Sequence, residues 1–251
     1  MVRSARLLAA LAGTAAMTVA VPAAAGAATV TLDKPCYGKI PLGGSEPVVA
    51  TIAGGTPNGR FQLIFSAPGK ASGSAGSQSG NFDAAGNAVV TYQGIRPPMT
   101  TINPSKGQTI NVSITDYAAG GVEQPSGSFL VSTITLDVST KPRNPRSKRA
   151  VKVSGTPFAN QVLYGFITKP NSSKVLKKFK VGKANVCGYA ERRAVVAPTR
   201  SRTGTYRLYI NAGTSLQKSK AIFSSFRIFR TSSRRLVFLR VASSARLSSH
   251  A

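Results

Sequence analysis

At 251 residues, 42% of them hydrophobic, the chain can bury one large core or two of ordinary size without help from metals. Its 33 Lys and Arg stand against 7 Asp and Glu, a formal net charge of +26. With two Cys and a single His, the penultimate residue, the composition counts against a zinc site, a histidine-based triad and any chemistry that consumes many acids.

In chain order, the first element is an N-terminal signal. Arg3 and Arg6 precede an apolar run from Leu7 to Val21, and Ala25-Gly26-Ala27 supplies a small-residue exit. The run is shorter than the ~20 residues needed to cross a hydrocarbon core, so residues 1–27 read as a cleavable signal peptide. No Cys follows it closely enough for lipidation, and no second long apolar segment occurs. The expectation is an exported chain without a transmembrane segment, secreted or held at the envelope non-covalently.

Beyond residue 28, short stretches of Thr, Val, Ile, Tyr and Phe alternate with Gly, Pro, Asn and Ser, and helical periodicity is missing. The fold class is all-β. Strands are predicted near 29–34, 47–54, 60–66, 87–93, 108–116 and 127–134, then near 134–139, 149–155, 161–168, 174–181, 191–197, 205–211 and 221–229. The Gly/Ser-rich stretch 69–80 reads as a mobile loop, and Asp83-Ala84-Ala85-Gly86-Asn87 as a bend before a strand, a part given to Lys169-Pro170-Asn171-Ser172-Ser173 in the second half.

The two halves repeat one plan. Thr29-Val30-Thr31-Leu32-Asp33 is answered by Thr133-Ile134-Thr135-Leu136-Asp137, and the Gly-Thr-Pro of Gly55-Thr56-Pro57 by Gly155-Thr156-Pro157. Gly107 to Ile114 likewise parallels Gly204 to Ile210. A repeat of this length has the size of a β-sandwich domain and is too long for a solenoid unit. The expected division is domain 1 over 28–135, a basic domain 2 over 136–230, and a basic tail over 231–251. The tandem plan, the Thr-x-Thr-Leu-Asp opening, the Asp-x-x-Gly turn, and Gly182 to Gly188 followed by Arg202-Thr203-Gly204-Thr205-Tyr206 resemble tandem bacterial immunoglobulin-like domains, found in secreted, uncharacterised proteins of high-GC Gram-positive bacteria. That resemblance implies two immunoglobulin-like β-sandwich domains in an extracellular setting, and no activity. The chain departs from antibody domains in having no Trp and no pair of cysteines within one domain.

Cys36 falls in the first copy and Cys187 in the second. In an oxidising compartment they form a cross-domain disulfide; the alternative is two unpaired thiols.

The charge is unevenly placed. From Thr29 to Ile134, Lys34, Lys39, Arg60, Lys70, Arg96 and Lys106 oppose Asp33, Glu46, Asp83, Asp116 and Glu123, whereas from Asp137 to Arg230 the only acids are Asp137 and Glu191 among 21 Lys and Arg. On a strand, Lys174, Lys178 and Lys180 share one solvated face, with Lys183, Arg192 and Arg193 close by in sequence. This set is the candidate polyanion-binding site. Its partners are anionic envelope polymers or lipid head groups; the alternative is a solvated charged surface that favours solubility. Specific nucleic-acid readout has no motif to support it.

No catalytic, cofactor-binding or metal residue is singled out. Asp83 and Asp116 are the only acids worth testing as a pair, and both stand in turn contexts where capping the backbone is the expected job. Ala118-Ala119-Gly120-Gly121 has no Lys-Ser or Lys-Thr after it to make a phosphate loop. Tyr206 and Tyr209 are read as a backbone tie of the sandwich, with sugar stacking as the alternative. Residues 231–251 leave three choices open: an added edge strand, a surface-binding segment or a disordered end. The functional expectation is a non-catalytic binding or structural module. The rival is a secreted enzyme or inhibitor with a site in loops such as 69–80.

Overall fold

Alternation along the chain builds the strands. In β3 (Val48–Ala53) Val48, Ala50 and Ile52 are buried, and in β4 (Arg60–Ser66) so are Phe61, Leu63 and Phe65. The computed structural model describes residues 27–39, 45–68, 74–95, 107–199, 202–232 and 235–244. The expected signal peptide, save Ala27, lies outside them.

The first half forms two facing sheets. One has three strands in the order β1 (Thr29–Leu32), β3, β6 (Ala88–Tyr92). The other has five, in the order β2 (Cys36–Gly38), β8 (Glu123–Ser132), β7 (Gln108–Asp116), β4, β5 (Ser74–Asn81). All pairings are antiparallel except β2 with β8. Ile52, Phe61, Leu63, Phe65, Ile110, Ile114 and Phe129 meet in the core between the sheets.

The second half repeats this. Its three-stranded sheet runs β13 (Ala190–Ala194), β10 (Arg149–Ser154), β9 (Thr135–Val138). Its five-stranded sheet runs β12 (Lys177–Lys183), β11 (Val162–Thr168), β14 (Gly204–Ala212), β15 (Ile222–Arg230), β16 (Leu236–Ser244). A separate core gathers Val151, Val153, Leu163, Ile167, Leu208, Ile210, Ile222 and Phe226. The chain is therefore all-β, two sandwiches in tandem, as the strand pattern implied.

Several local expectations change. Ser74–Asn81 is a strand, not part of a loop; it pairs with β4 from Arg60↔Asn81 to Ser66↔Ser74, and residues 69–73 lie outside the described residues. Its glycines hid it in the sequence yet have packing reasons. A Cβ on Gly80 would stand 2.7 Å from the Phe61 ring, and one on Gly76 2.1 Å from the Tyr92 hydroxyl. The short β2 was also missed. Of the three choices open for the tail, the edge strand holds: β16 pairs antiparallel with β15, so the second sandwich continues past residue 230.

The counterpart of the Asp83 bend is Asn185–Tyr189, not Lys169–Ser173. Asp83 Oδ1 accepts from the amides of Ala85 (2.9 Å) and Asn87 (2.8 Å), and Asn185 Oδ1 accepts from those of Cys187 and Tyr189, both at 2.9 Å. Each bend closes on a glycine with positive φ, Gly86 at 78° and Gly188 at 74°. Each glycine presses on a backbone carbonyl of the facing turn: a Cβ would stand 2.2 Å from the Gly55 oxygen in one and 1.8 Å from the Gly155 oxygen in the other.

Cys36, on edge strand β2, is bonded to Cys187 in the second bend, with Cα atoms 5.5 Å apart. Beside the bond, Ser132 Oγ donates to the Cys187 carbonyl at 3.2 Å. Gly38 lies so near Thr156 that a Cβ there would be 2.7 Å from Thr156 Oγ1. The two sandwiches meet through these contacts.

Candidate functional site

The five-stranded sheet of the second sandwich has two unlike faces. Along β14, Tyr206, Leu208 and Ile210 enter the core while Arg207 and Tyr209 point away from it; β11 likewise sends Leu163 and Ile167 inward and Tyr164 and Phe166 outward. Register then sets the outward residues in rows. Lys178 lies opposite Phe166, Phe166 opposite Tyr209, and Tyr209 opposite Phe223, crossing four strands; Lys180 lies opposite Tyr164 in the next row.

The aromatic residues form a small apolar cluster outside the sandwich, with Leu216 and Ala221 from the β14–β15 connection packed on it. Asn211 anchors that connection by donating to the Ala212 (2.6 Å) and Ser215 (3.0 Å) carbonyls. Cations sit on the rings. Lys178 Nζ is 5.0 Å from the centre of Tyr164 and 5.9 Å from that of Phe166. The Arg207 guanidinium is 5.1 Å from Phe223 and donates to the Tyr209 hydroxyl at 3.4 Å, and Lys218 Nζ is 5.9 Å from Tyr209. Ring faces carry negative quadrupole density, so they hold these cations without neutralising them.

Acids lie elsewhere. The two acids of the second sandwich, Asp137 and Glu191, stand on either side of Lys152 in the register of the other sheet, and Glu191 approaches Lys152 Nζ at 3.9 Å. Tyr189 donates to Glu191 at 2.6 Å, and burial together with that carboxylate raises its phenol to about 12. In the first sandwich Lys34 pairs with Glu46 at 3.8 Å.

The six residues expected to bind polyanions do not form one surface. Lys178 and Lys180 lie on the outward face just described, and Lys183 ends the same strand. Lys174 precedes the strand, which begins at Lys177; the Leu176 amide donates to the Ile167 carbonyl at 2.8 Å just before it. Arg193 lies opposite Ala150 on the outer side of the three-stranded sheet, whereas Arg192 lies opposite the core residue Val151 and reaches solvent at the sheet edge. Strands β12 and β13 run beside each other at that edge, but they belong to different sheets, and Arg193 faces away from the lysine face. Lys177 turns inward; its Nζ donates to the Ala197 carbonyl at 3.3 Å, and burial lowers its pKa.

Arg207, Lys218, Tyr164, Phe166 and Phe223 were not anticipated. Tyr206 is the backbone tie, its hydroxyl donating to the Arg202 carbonyl at 2.9 Å. Tyr209, only 5% exposed, offers no open ring face for a sugar. Asp83 caps its bend, and Asp116 accepts from the Thr56 amide (2.8 Å) and hydroxyl (2.9 Å) and from the amides of Ala118 and Ala119. Burial would raise Asp116, but these donors outweigh it and the pKa is lowered. No group of three His, Cys, Asp or Glu able to hold a metal occurs among the described residues, and no described helix is long and apolar enough to cross a membrane.

Fold and site define the class: two immunoglobulin-like β-sandwiches in tandem, joined by a disulfide, the second with a basic aromatic sheet face. No family model and no curated protein matches the chain. Among solved structures it is similar to the D0-D1 domain of Intimin, with 17% identity and a TM-score of 0.28 over 73% of this chain and 90% of that one. It is also similar to a red sea bream transglutaminase (13%, TM-score 0.32, over 74% of this chain) and to a Salmonella alpha-2-macroglobulin (12%, TM-score 0.29, over 85%), spanning 28% and 16% of their lengths. Superpositions this loose carry nothing about function.

Proposed function

We propose that the protein is a secreted, non-catalytic module of the bacterial immunoglobulin-like kind, whose second sandwich binds anionic polymers of a cell envelope through the outward face of its five-stranded sheet. The observation that carries this reading is the set of cations seated over Tyr164, Phe166, Tyr209 and Phe223 on a face without a carboxylate. Cations already ordered by ring faces lose less freedom when a polyanion arrives, and their combined potential draws it in. The near-neutral first sandwich acts as spacer or presenter. Export is supported by the signal pattern and the disulfide, and a non-catalytic role by the engagement of Asp83 and Asp116 in backbone capping.

Isolated cell walls and vesicles of anionic lipid, each mixed with the mature protein at low and high salt, provide the test. Retention on walls that falls steeply with salt is expected. Retention on vesicles alone moves the partner to lipid head groups, and binding to neither at low salt removes the proposal.

A further inference from the structure

Comparing the sandwiches isolates one region where the second departs from the plan of the first. In the first, the segment between β1 and β3 carries β2, which lies beside β8. In the second, the corresponding segment, residues 139–148, adds no strand and reads Ser-Thr-Lys-Pro-Arg-Asn-Pro-Arg-Ser-Lys, while the position beside β15 is taken by β16. Both departures meet at one cleft of about 690 Å³, lined by Arg143, Pro145 and Arg146 from the segment and by Arg235, Leu236 and Val237 at the entry to β16.

The walls are fixed from within. The fully buried Arg149 donates to the Ser139 carbonyl (3.1 Å) and the Asn144 carbonyl (3.0 Å), and its guanidinium lies 3.6 Å from the centre of the Phe238 ring. The Phe238 amide in turn donates to the Arg143 carbonyl at 2.9 Å, and the Thr231 amide to that of Arg235 at 2.9 Å. Segment and strand are thus tied through backbone atoms, which leaves the Arg143, Arg146 and Arg235 side chains to solvent. Among the described residues none of the three forms an ion pair, and the acids of this sandwich flank Lys152 on another sheet.

The geometry points to a binding site in this cleft for an organic phosphate monoester. Three guanidiniums around one concavity repel one another, and an anion among them relieves that repulsion. Guanidinium forks match phosphate oxygens, and a monoester offers three of them. Pro145, Leu236 and Val237 give the ester's organic part an apolar wall that an inorganic ion would leave wet. The site is separate from the sheet face: it takes a single group, not a polymer backbone.

Calorimetric titration of the disulfide-bonded two-sandwich chain with phenyl phosphate, inorganic phosphate and benzoate tests this. Saturable binding of one phenyl phosphate is expected, about tenfold tighter than either comparison ligand. Arg143→Gln, Arg146→Gln and Arg235→Gln should each weaken it about tenfold, with thermal unfolding unchanged because the Arg149 ties remain, while Lys178→Gln with Arg207→Gln leaves it intact. The inference is overturned by no saturable binding up to about 10 mM, by equal affinity for inorganic phosphate, or by equal weakening whichever cations are removed.

Discussion

Replacing both Cys36 and Cys187 by Ser leaves the β8–β9 connection as the only covalent link between the sandwiches and tests how far each depends on the other. The bond closes a loop with a sequence separation of 151 residues. For a loop of that length, the chain-entropy account assigns about 5 kcal/mol of stabilisation, all of it from restricting the unfolded chain. The full amount is realised only when both sandwiches unfold together; while one stays folded, it already shortens the free loop. The loss in a protein of this size corresponds to a fall in Tm of about 2–4 °C per kcal/mol, so about 10 °C or more. Urea unfolding followed by far-UV circular dichroism should show a lower midpoint, with one cooperative transition resolving into two, because short contacts such as Ser132 Oγ on the Cys187 carbonyl and Gly38 against Thr156 then hold the junction without the bond. A variant with the midpoint and single transition of the parent would refute both the loop argument and the coupling.

Gly86→Ala and Gly188→Ala should each cost at least about 3 kcal/mol, through positive φ and a clash with a facing carbonyl; with Cys36 and Cys187 also replaced by Ser, so that the two transitions separate, calorimetry should show each loss confined to its own sandwich. Burial lowers Arg149 to about 10, so it remains charged at neutral pH; Arg149→Ala should lower stability by about 3 kcal/mol, and Arg149→Lys should recover little, since an ammonium does not bridge both carbonyls and the Phe238 ring. Asp116, with its pKa held below 3.8 by its donors, contributes stability that is present above that value and lost as pH falls through the lowered one. Asp116→Asn should therefore cost about 1 kcal/mol at neutral pH, with the gap closing in acid when unfolding is measured as a function of pH.

Periodicity was legible wherever core residues alternate with polar ones, as in β3, β4 and β14. It failed at β5, where glycines make room for Phe61 and Tyr92 and Ala75 is the one apolar residue, too few to show an alternation. The second bend was assigned by composition to Lys169–Ser173, although Asn185 does there what Asp83 does in the first, and Cys187 and Tyr189 disguise the likeness. The cross-domain disulfide was legible because two cysteines leave one intramolecular pairing. Lys178 and Lys180 were legible from a lysine run on one strand, but Arg207 and Phe223 belong to strands distant in sequence. Only register brings Lys178, Phe166, Tyr209 and Phe223 into a row, and register depends on long-range pairing that local pattern does not specify.

The most direct test of the sheet face is the salt dependence of binding to a duplex DNA used as a reference polyanion, for the parent and for the triple variant Lys178→Gln, Lys180→Gln, Arg207→Gln. Each phosphate neutralised contributes about 0.9 to the slope of log K against log salt. If the face is the binding surface, the triple variant should lose between about two and three units of slope, while Lys34→Gln with Arg60→Gln in the first sandwich changes nothing. An unchanged slope in the triple variant, or an equal loss in the first-sandwich variant, would place the binding elsewhere and contradict the account.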